Sequence, residues 1–134
     1  MTSEGGKTRV MIVNNHPIMR VGLRLAIQRE ADLELVCEVA DEAEALVQFE
    51  LCRPDVVLID LQLPQGSGLH AIEAIHRLCP GSPVVVLTTF PDETDVPAGN
   101  AVGPVVFVSK AAPSEEIVAA VRTAERTFGH DKPH

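Results

Sequence analysis

Asp60 ends the apolar run Val56-Val57-Leu58-Ile59 and precedes Leu61-Gln62-Leu63-Pro64 and a Gly66-Ser67-Gly68 turn. Three other apolar runs, residues 10–13, 84–87 and 105–108, also give way to polar residues: Asn14 and Asn15, Thr88 and Thr89, and Ser109 with Lys110. In an open parallel sheet, ligands bind beyond the carboxyl ends of the strands, where the strand order reverses, so these are the polar residues to inspect. A carboxylate fixed at that mouth, with a hydroxyl and an ammonium opposite, can accept a phosphoryl group. The hydroxyl and Lys110 would hold the phosphoryl oxygens, and a divalent cation would neutralise the developing charge. Taken alone, Asp60 reads equally well as a residue that caps a turn.

The elements that would position these residues follow from the hydropathy pattern. Runs apolar at successive positions suit strands covered on both faces, as in a parallel sheet. A fifth run, residues 33–40, interleaves two acids with apolar residues and reads as an edge strand. Between the runs the spacing becomes helical. After Pro17, which suits a first helical turn, Ile18, Val21, Gly22 and Leu25 follow the i, i+3, i+4, i+7 rule and are expected to form the inward stripe. Residues 43–52 repeat the pattern through Leu46, Val47 and Leu51 and stop before Pro54. Leu69, Ile72, Ile75 and Cys79 line a third helix, ended by Cys79-Pro80-Gly81. The last helix opens at Pro113-Ser114-Glu115-Glu116, its acids placed where the helix dipole favours them, and turns Ile117, Val121, Ala124 and Phe128 inward.

Strand and helix alternate, which predicts a parallel α/β sandwich. One slot breaks the rhythm: residues 91–104 carry Pro97 and Gly99 where a fourth helix belongs. An interior proline costs a helix about 3 kcal/mol and a glycine about 1 more, so that helix is expected to be short or distorted, with a loop.

The chain has 134 residues, 19 acidic against 11 Lys plus Arg, for a formal net charge of −8. That length suits one domain with its own apolar core. The acidic balance argues against direct nucleic-acid binding, which draws most of its affinity from Lys and Arg at phosphates. Four Phe as the only aromatics leave little for base stacking. Three cysteines, Cys37, Cys52 and Cys79, are widely spaced and form no C-x-x-C pair, so they read as reduced thiols in a cytosolic protein. No apolar run reaches the roughly 18 residues of a membrane span, and residues 1–7 lack the apolar core of a secretory signal. A cytoplasmic location without membrane contact is the expectation.

The motifs together are specific. The stretches VMIVNNHPIMRVGLRL (10–25), RPDVVLIDLQLPQGSGL (53–69), VVVLTTF (84–90) and VVFVSKAAPSEEIVAAV (105–121) resemble, in order and spacing, the receiver domain of bacterial response regulators of the NarL/FixJ or LuxR type. The resemblance covers residues 8–128, leaving 129–134 as a tail or the start of a linker. It implies a flavodoxin-like, doubly wound five-stranded parallel sheet of order 2-1-3-4-5 with about five helices. Asp60 matches the aspartate phosphorylated by a histidine kinase, and Lys110 the lysine that contacts the phosphoryl group. Thr88 matches the switch hydroxyl, its separation from Lys110 favouring it over Thr89. Phe107 matches the aromatic that changes rotamer on activation, although a plain core residue on a buried strand is an equal reading. The Gln62 carbonyl takes the place of a backbone metal ligand.

Departures from the family pattern matter as much. Asn14 and Asn15 stand where receivers carry the acidic pair that positions magnesium, and Ala111 stands where an acid often follows the lysine. Magnesium is usually held by one or two carboxylates, and an amide oxygen brings no charge, so a site made of Asp60, Gln62 and Asn15 would hold Mg2+ weakly if at all. With less negative charge nearby, Lys110 is expected to pair directly with Asp60. The net −8 is then a property of the solvated surface, and the pocket is nearly neutral.

Three readings follow. The first is an atypical receiver controlling a transcription-regulator output, non-enzymatic, and governed by a partner or small ligand, or fixed in one state, instead of by ordinary Mg-dependent phosphorylation. The second is a working phosphoacceptor of a two-component system, phosphorylated on Asp60. The third is a flavodoxin-like small enzyme or cofactor-binding protein; the absence of a Gly-rich phosphate loop after the first strand argues against it. The resemblance also implies partners: a C-terminal helix-turn-helix DNA-binding domain if the chain is a fragment, a histidine kinase, and a second copy in a homodimer.

Overall fold

A computed structural model describes residues 6–63, 68–89 and 105–128. The elements run β1 (Thr8–Val13), α1 (Pro17–Gln28), β2 (Leu33–Val39), α2 (Glu42–Cys52), β3 (Val56–Asp60), α3 (Gly68–Leu78), β4 (Val84–Thr88), β5 (Val105–Ser109) and α4 (Ser114–Phe128). The sheet order is β2-β1-β3-β4-β5, parallel at every pairing. This is the parallel α/β arrangement that the alternating pattern predicts and the doubly wound order that the resemblance implies, with β2 at an edge as its interleaved acids suggest. The segment expected to hold a distorted fourth helix lies outside the described residues, as does the tail, and four helices are present among those described.

The central strands are apolar on both faces because both faces are covered. Val10, Ile12, Leu58, Val85 and Leu87 point into one core with Leu23, Ala26 and Ile27 of α1 and Ile117, Val118 and Val121 of α4. Met11, Val13, Val57, Ile59, Val84 and Val86 point the other way, against Ala45 and Phe49 of α2 and Ala71, Ile72 and Ile75 of α3. Every residue of β3 and β4 is buried. Asp60 is therefore placed by a strand with almost no freedom to shift.

Two helix faces correct the sequence expectation. In α1 the stripe Ile18, Val21 and Leu25 faces outward, with Ile18 89% exposed, while Leu23, Ala26 and Ile27 are buried. The helix carries two apolar stripes, and the periodicity that finds the helix cannot choose between them. The choice falls to packing: one stripe meets the sheet and α4, and ion pairs from Arg20 and Arg24 to Glu38 of β2 fix the rotation. In α2, Val47 and Leu51 are exposed and Leu46 is only half-buried, whereas Ala45 and Phe49 fill the core. Asp41 caps that helix by accepting the Glu44 N–H at 2.9 Å, which starts it at Glu42 rather than at residue 43.

The remaining helices follow expectation. Ile72 and Ile75 are buried in α3, with Leu69 and Cys79 half-buried against the same core. Ile117, Val121 and Ala124 are buried in α4; the side chain of Phe128 lies outside the described residues.

Candidate functional site

β1 and β3 are neighbours in register, Val13 beside Ile59, so Asn14 and Asp60 leave the sheet side by side at its carboxyl edge. Both are fully buried. On the other side, β3 and β4 pair Asp60 with Leu87, and β4 and β5 pair Thr88 with Ser109. The topology thus brings Asn14, Asp60, Thr88 and Lys110 to the ends of four adjacent strands.

Lys110 reaches back across β4 to Asp60, with Nζ 2.9 Å from Oδ1. The carboxylate side chain is 1% exposed and the ammonium side chain 18% exposed. A buried charge of this kind persists when paired and hydrogen-bonded. The same Oδ1 accepts the Gln62 backbone N–H at 2.9 Å, closing a turn of the Asx type. The two roles open to Asp60, turn cap and charge partner, therefore coincide in one oxygen. Its other oxygen, Oδ2, is buried with no hydrogen-bond partner among the described residues.

Asn14 is held from both directions. Its backbone N–H donates to the Val39 carbonyl at 3.0 Å, extending the β1–β2 ladder, and its Oδ1 accepts the His16 backbone N–H at 2.7 Å. The second bond fixes the amide orientation, because an N–H donor requires the oxygen and not the nitrogen of the amide. Nδ2 is left buried and without a partner among the described residues.

These facts test the site against magnesium. The ion takes octahedral oxygen ligands, commonly including one or two carboxylates. Among the described residues Asp60 is the one acid that the strand ends bring to the mouth, its Oδ1 engaged by Lys110 and Gln62 and its Oδ2 open; the Asn14 oxygen is turned to His16; and Asn15 is exposed. No group of three or more His, Cys, Asp or Glu suited to a metal occurs among the described residues. This donor set does not fit a tightly bound magnesium ion.

Thr88 is buried, whereas Thr89 is exposed, and the Thr88 carbonyl accepts the Lys110 N–H at 2.9 Å. Gln62 is exposed at the mouth, its Oε1 3.4 Å from Lys110 Nζ. Phe107 is half-buried against the core beneath α2 and α3. Gly68, expected only as part of a turn, opens α3 and is structural to the site. A Cβ on Gly68 would lie 2.6 Å from the Asp60 carbonyl oxygen and from Leu61 Cα and O, so only glycine lets α3 start against this strand end. The one signal for it in the sequence is the second glycine of Gly66-Ser67-Gly68.

A buried aspartate ending the third strand of a 2-1-3-4-5 sheet, clasped by a lysine that follows the fifth, is the arrangement of receiver-type signalling domains, a class that the fold and site define together. The chain matches the family described as response regulator receiver domain over residues 10–122, and it belongs to that family. It is 33% identical over 120 residues to the uncharacterized transcriptional regulatory protein YxjL of Bacillus subtilis, covering 90% of this chain and 55% of that protein. It is also 33% identical over 116 residues to the oxygen regulatory protein NreC of Staphylococcus epidermidis, covering 86% of this chain and 53% of that one. The chain spans about half the length of these relatives.

Among solved structures, a LuxR-family two-component response regulator from Aurantimonas superposes with a TM-score of 0.77 at 30% identity, over 87% of this chain and 84% of that one. The receiver domain of the putative response regulator NarL from Mycobacterium tuberculosis gives 0.77 at 26% identity, over 90% and 97%. No helix among the described residues is long and apolar enough to cross a membrane.

Proposed function

We propose that this receiver domain controls a transcription-regulator output without ordinary magnesium-dependent phosphorylation of Asp60. The observation that carries the reading is the orientation of Asn14. With Oδ1 committed to His16 N–H, the amide offers the buried site a nitrogen donor where a metal needs an oxygen. The Lys110 ammonium occupies the cationic role instead, 2.9 Å from Asp60. An input, either a protein partner or a small ligand, acts by changing that contact. Because the Lys110 N–H is bonded to the Thr88 carbonyl, displacement of the ammonium is felt at the ends of β4 and β5. The length of the relatives supports an output domain following this one, of the helix-turn-helix DNA-binding kind that the family resemblance implies. In this reading the domain itself touches no nucleic acid.

A second reading, a working phosphoacceptor served by a histidine kinase, is favoured by one observation: Asp60 Oδ2 is not engaged by any described residue. Incubation with magnesium and acetyl phosphate, followed by intact-mass measurement, separates the two. The atypical reading expects no phosphoryl adduct beyond that of Asp60→Asn. Prompt magnesium-dependent labelling that Asp60→Asn abolishes overturns it.

A further inference from the structure

Away from the strand mouth, two cysteines fifteen positions apart are brought together under the edge of the sheet. Cys37 lies on β2 and Cys52 is the last residue of α2. The β1–β2 register slips between Val10 and Met11, which pair with Leu35 and Cys37, so Val36 is an extra residue in the edge strand. Such a bulge re-aims the neighbouring side chain. The Val36 carbonyl lies 3.9 Å from the Cys52 thiol, and the Cys37 side chain packs against the core on the side that α2 covers. The Cys52 thiol thus lies against the carbonyl of the residue that precedes Cys37, with Gln48 Oε1 3.5 Å away on its own helix, and both cysteines are half-buried.

Arg9 of β1 adds a charge to this pair. Its guanidinium donates to the Cys52 carbonyl at the end of α2, and its positive charge acts on the Cys37 sulfur. Burial, followed by the contact with Cys52, pushes the Cys37 thiol up to about 12, so Cys37 stays protonated at neutral pH. Cys79, the third cysteine, lies just beyond α3 and packs against the core there.

We propose that Cys52 and Cys37 form an oxidant-responsive thiol pair that closes to a reversible disulfide with a peroxide as oxidant. The Cys52 thiolate attacks one peroxide oxygen; the O–O bond breaks, and the departing hydroxide takes up a proton as water. Cys52 is then a sulfenic acid. The Cys37 sulfur attacks the Cys52 sulfur, the S–O bond breaks, and the hydroxide leaves with the Cys37 proton as a second water. Two thiols lose two electrons in total and the peroxide becomes two waters. The new bond ties the edge strand to the end of the helix that covers it and closes a loop containing all of α2. It leaves Asp60 and Lys110 untouched, so the proposal stands independently of the phosphorylation reading.

The test treats the full chain with hydrogen peroxide at modest excess, then quenches and maps peptides under non-reducing conditions. The expected result is an intramolecular Cys37–Cys52 cross-link, a loss of two hydrogens in intact mass, and a fall in free thiols from three to one, all reversed by dithiothreitol. Cys79→Ser keeps the cross-link. Cys37→Ser leaves Cys52 trapped as a sulfenic acid that a dimedone-type probe labels. Cross-links that run through Cys79 or between chains, or a Cys52 that stays reduced while Cys79 oxidises, overturn the proposal in the wild-type chain without reliance on any variant.

Discussion

The Lys110 ammonium and one Asp60 carboxylate oxygen meet at 2.9 Å across the end of β4, and that oxygen also receives the Gln62 backbone N–H. The ends of β3 and β5 are thereby joined through one buried charge. The two partners are not equivalent, because the aspartate cannot reach water while the lysine can.

That asymmetry sets the cost of breaking the pair. Lys110→Ala leaves a carboxylate buried without a counter-charge and is expected to destabilise the fold by about 3 kcal/mol. Asp60→Asn frees Lys110 to turn outward and retains an oxygen for the Gln62 N–H, so its cost is expected to be clearly smaller. Urea denaturation of both variants checks the order; a Lys110→Ala midpoint equal to or above that of Asp60→Asn contradicts the account of the pair.

Magnesium affinity is expected to return on restoring charge at the right strand end. Asn14→Asp places a second carboxylate beside Asp60 on the neighbouring strand, and about a tenfold gain in affinity follows from the added charge. Asn15→Asp alone, at an exposed position, gains less. Titration with Mg2+, read by chemical-shift changes around Asp60, compares the three proteins. Equal affinities across the set mean that the amide at position 14 does not govern the site.

Two glycines give opposite outcomes. At Gly68 a methyl group would meet the Asp60 and Leu61 backbone at 2.6 Å, and Gly68→Ala is expected to cost about 2 kcal/mol while displacing the Asp60 strand end. At Gly22, inside α1, a Cβ meets nothing within 4 Å, and Gly22→Ala is expected to stabilise by about 0.5–1 kcal/mol through helix propensity alone. Thermal unfolding of the pair should move in opposite directions.

The rotation of α1 is open to a direct check by truncation. Ile27→Ala removes a fully buried side chain and is expected to cost about 2–5 kcal/mol. Ile18→Ala, at 89% exposure, is expected to stay within about 0.5 kcal/mol of the parent. The reverse order would restore the outward stripe to the core.

On the acid side, Arg122 of α4 clasps Asp32 and Glu30, in the turn between α1 and β2, at 2.8 and 2.6 Å. The hydrogen bond from Arg122, opposed in part by burial, holds the Asp32 carboxyl below the ordinary aspartate range. A depressed folded value means the contact stabilises fully above the unfolded value, about pH 4, and is lost as pH falls through the folded one. Arg122→Gln is expected to raise the Asp32 midpoint toward that of a free aspartate. Carboxyl carbon shifts followed by NMR measure it.

Much of this protein is legible as a string. Successive apolar positions at 56–59 and 84–87 require strands covered on both faces, which in turn requires helices on both sides of the sheet. Interleaved acids at Glu34 and Glu38 put β2 at an edge. The polar residue after each strand could be placed at the strand mouth, because a parallel sheet gathers the ends of its strands at one edge. Asp60, Thr88 and Lys110 all lie there.

Other features depend on contacts that no local pattern encodes. A helix with two apolar stripes has one period, so the face that turns inward in α1 was settled by the sheet, α4 and the Arg24–Glu38 ion pair. The chemical character of Asn14 followed from a backbone N–H two residues on, which takes its oxygen and leaves its nitrogen. Cys37 and Cys52 look unrelated in a list of spacings, and the Cys52 thiol comes to the Val36 carbonyl beside Cys37 because α2 folds back over the edge strand that precedes it. The sequence by itself determined which elements form and which residues stand at the strand ends, since those follow from short-range periodicity and chain order. Tertiary packing decided which atoms face one another, because burial and hydrogen-bond partners are properties of neighbours distant along the chain.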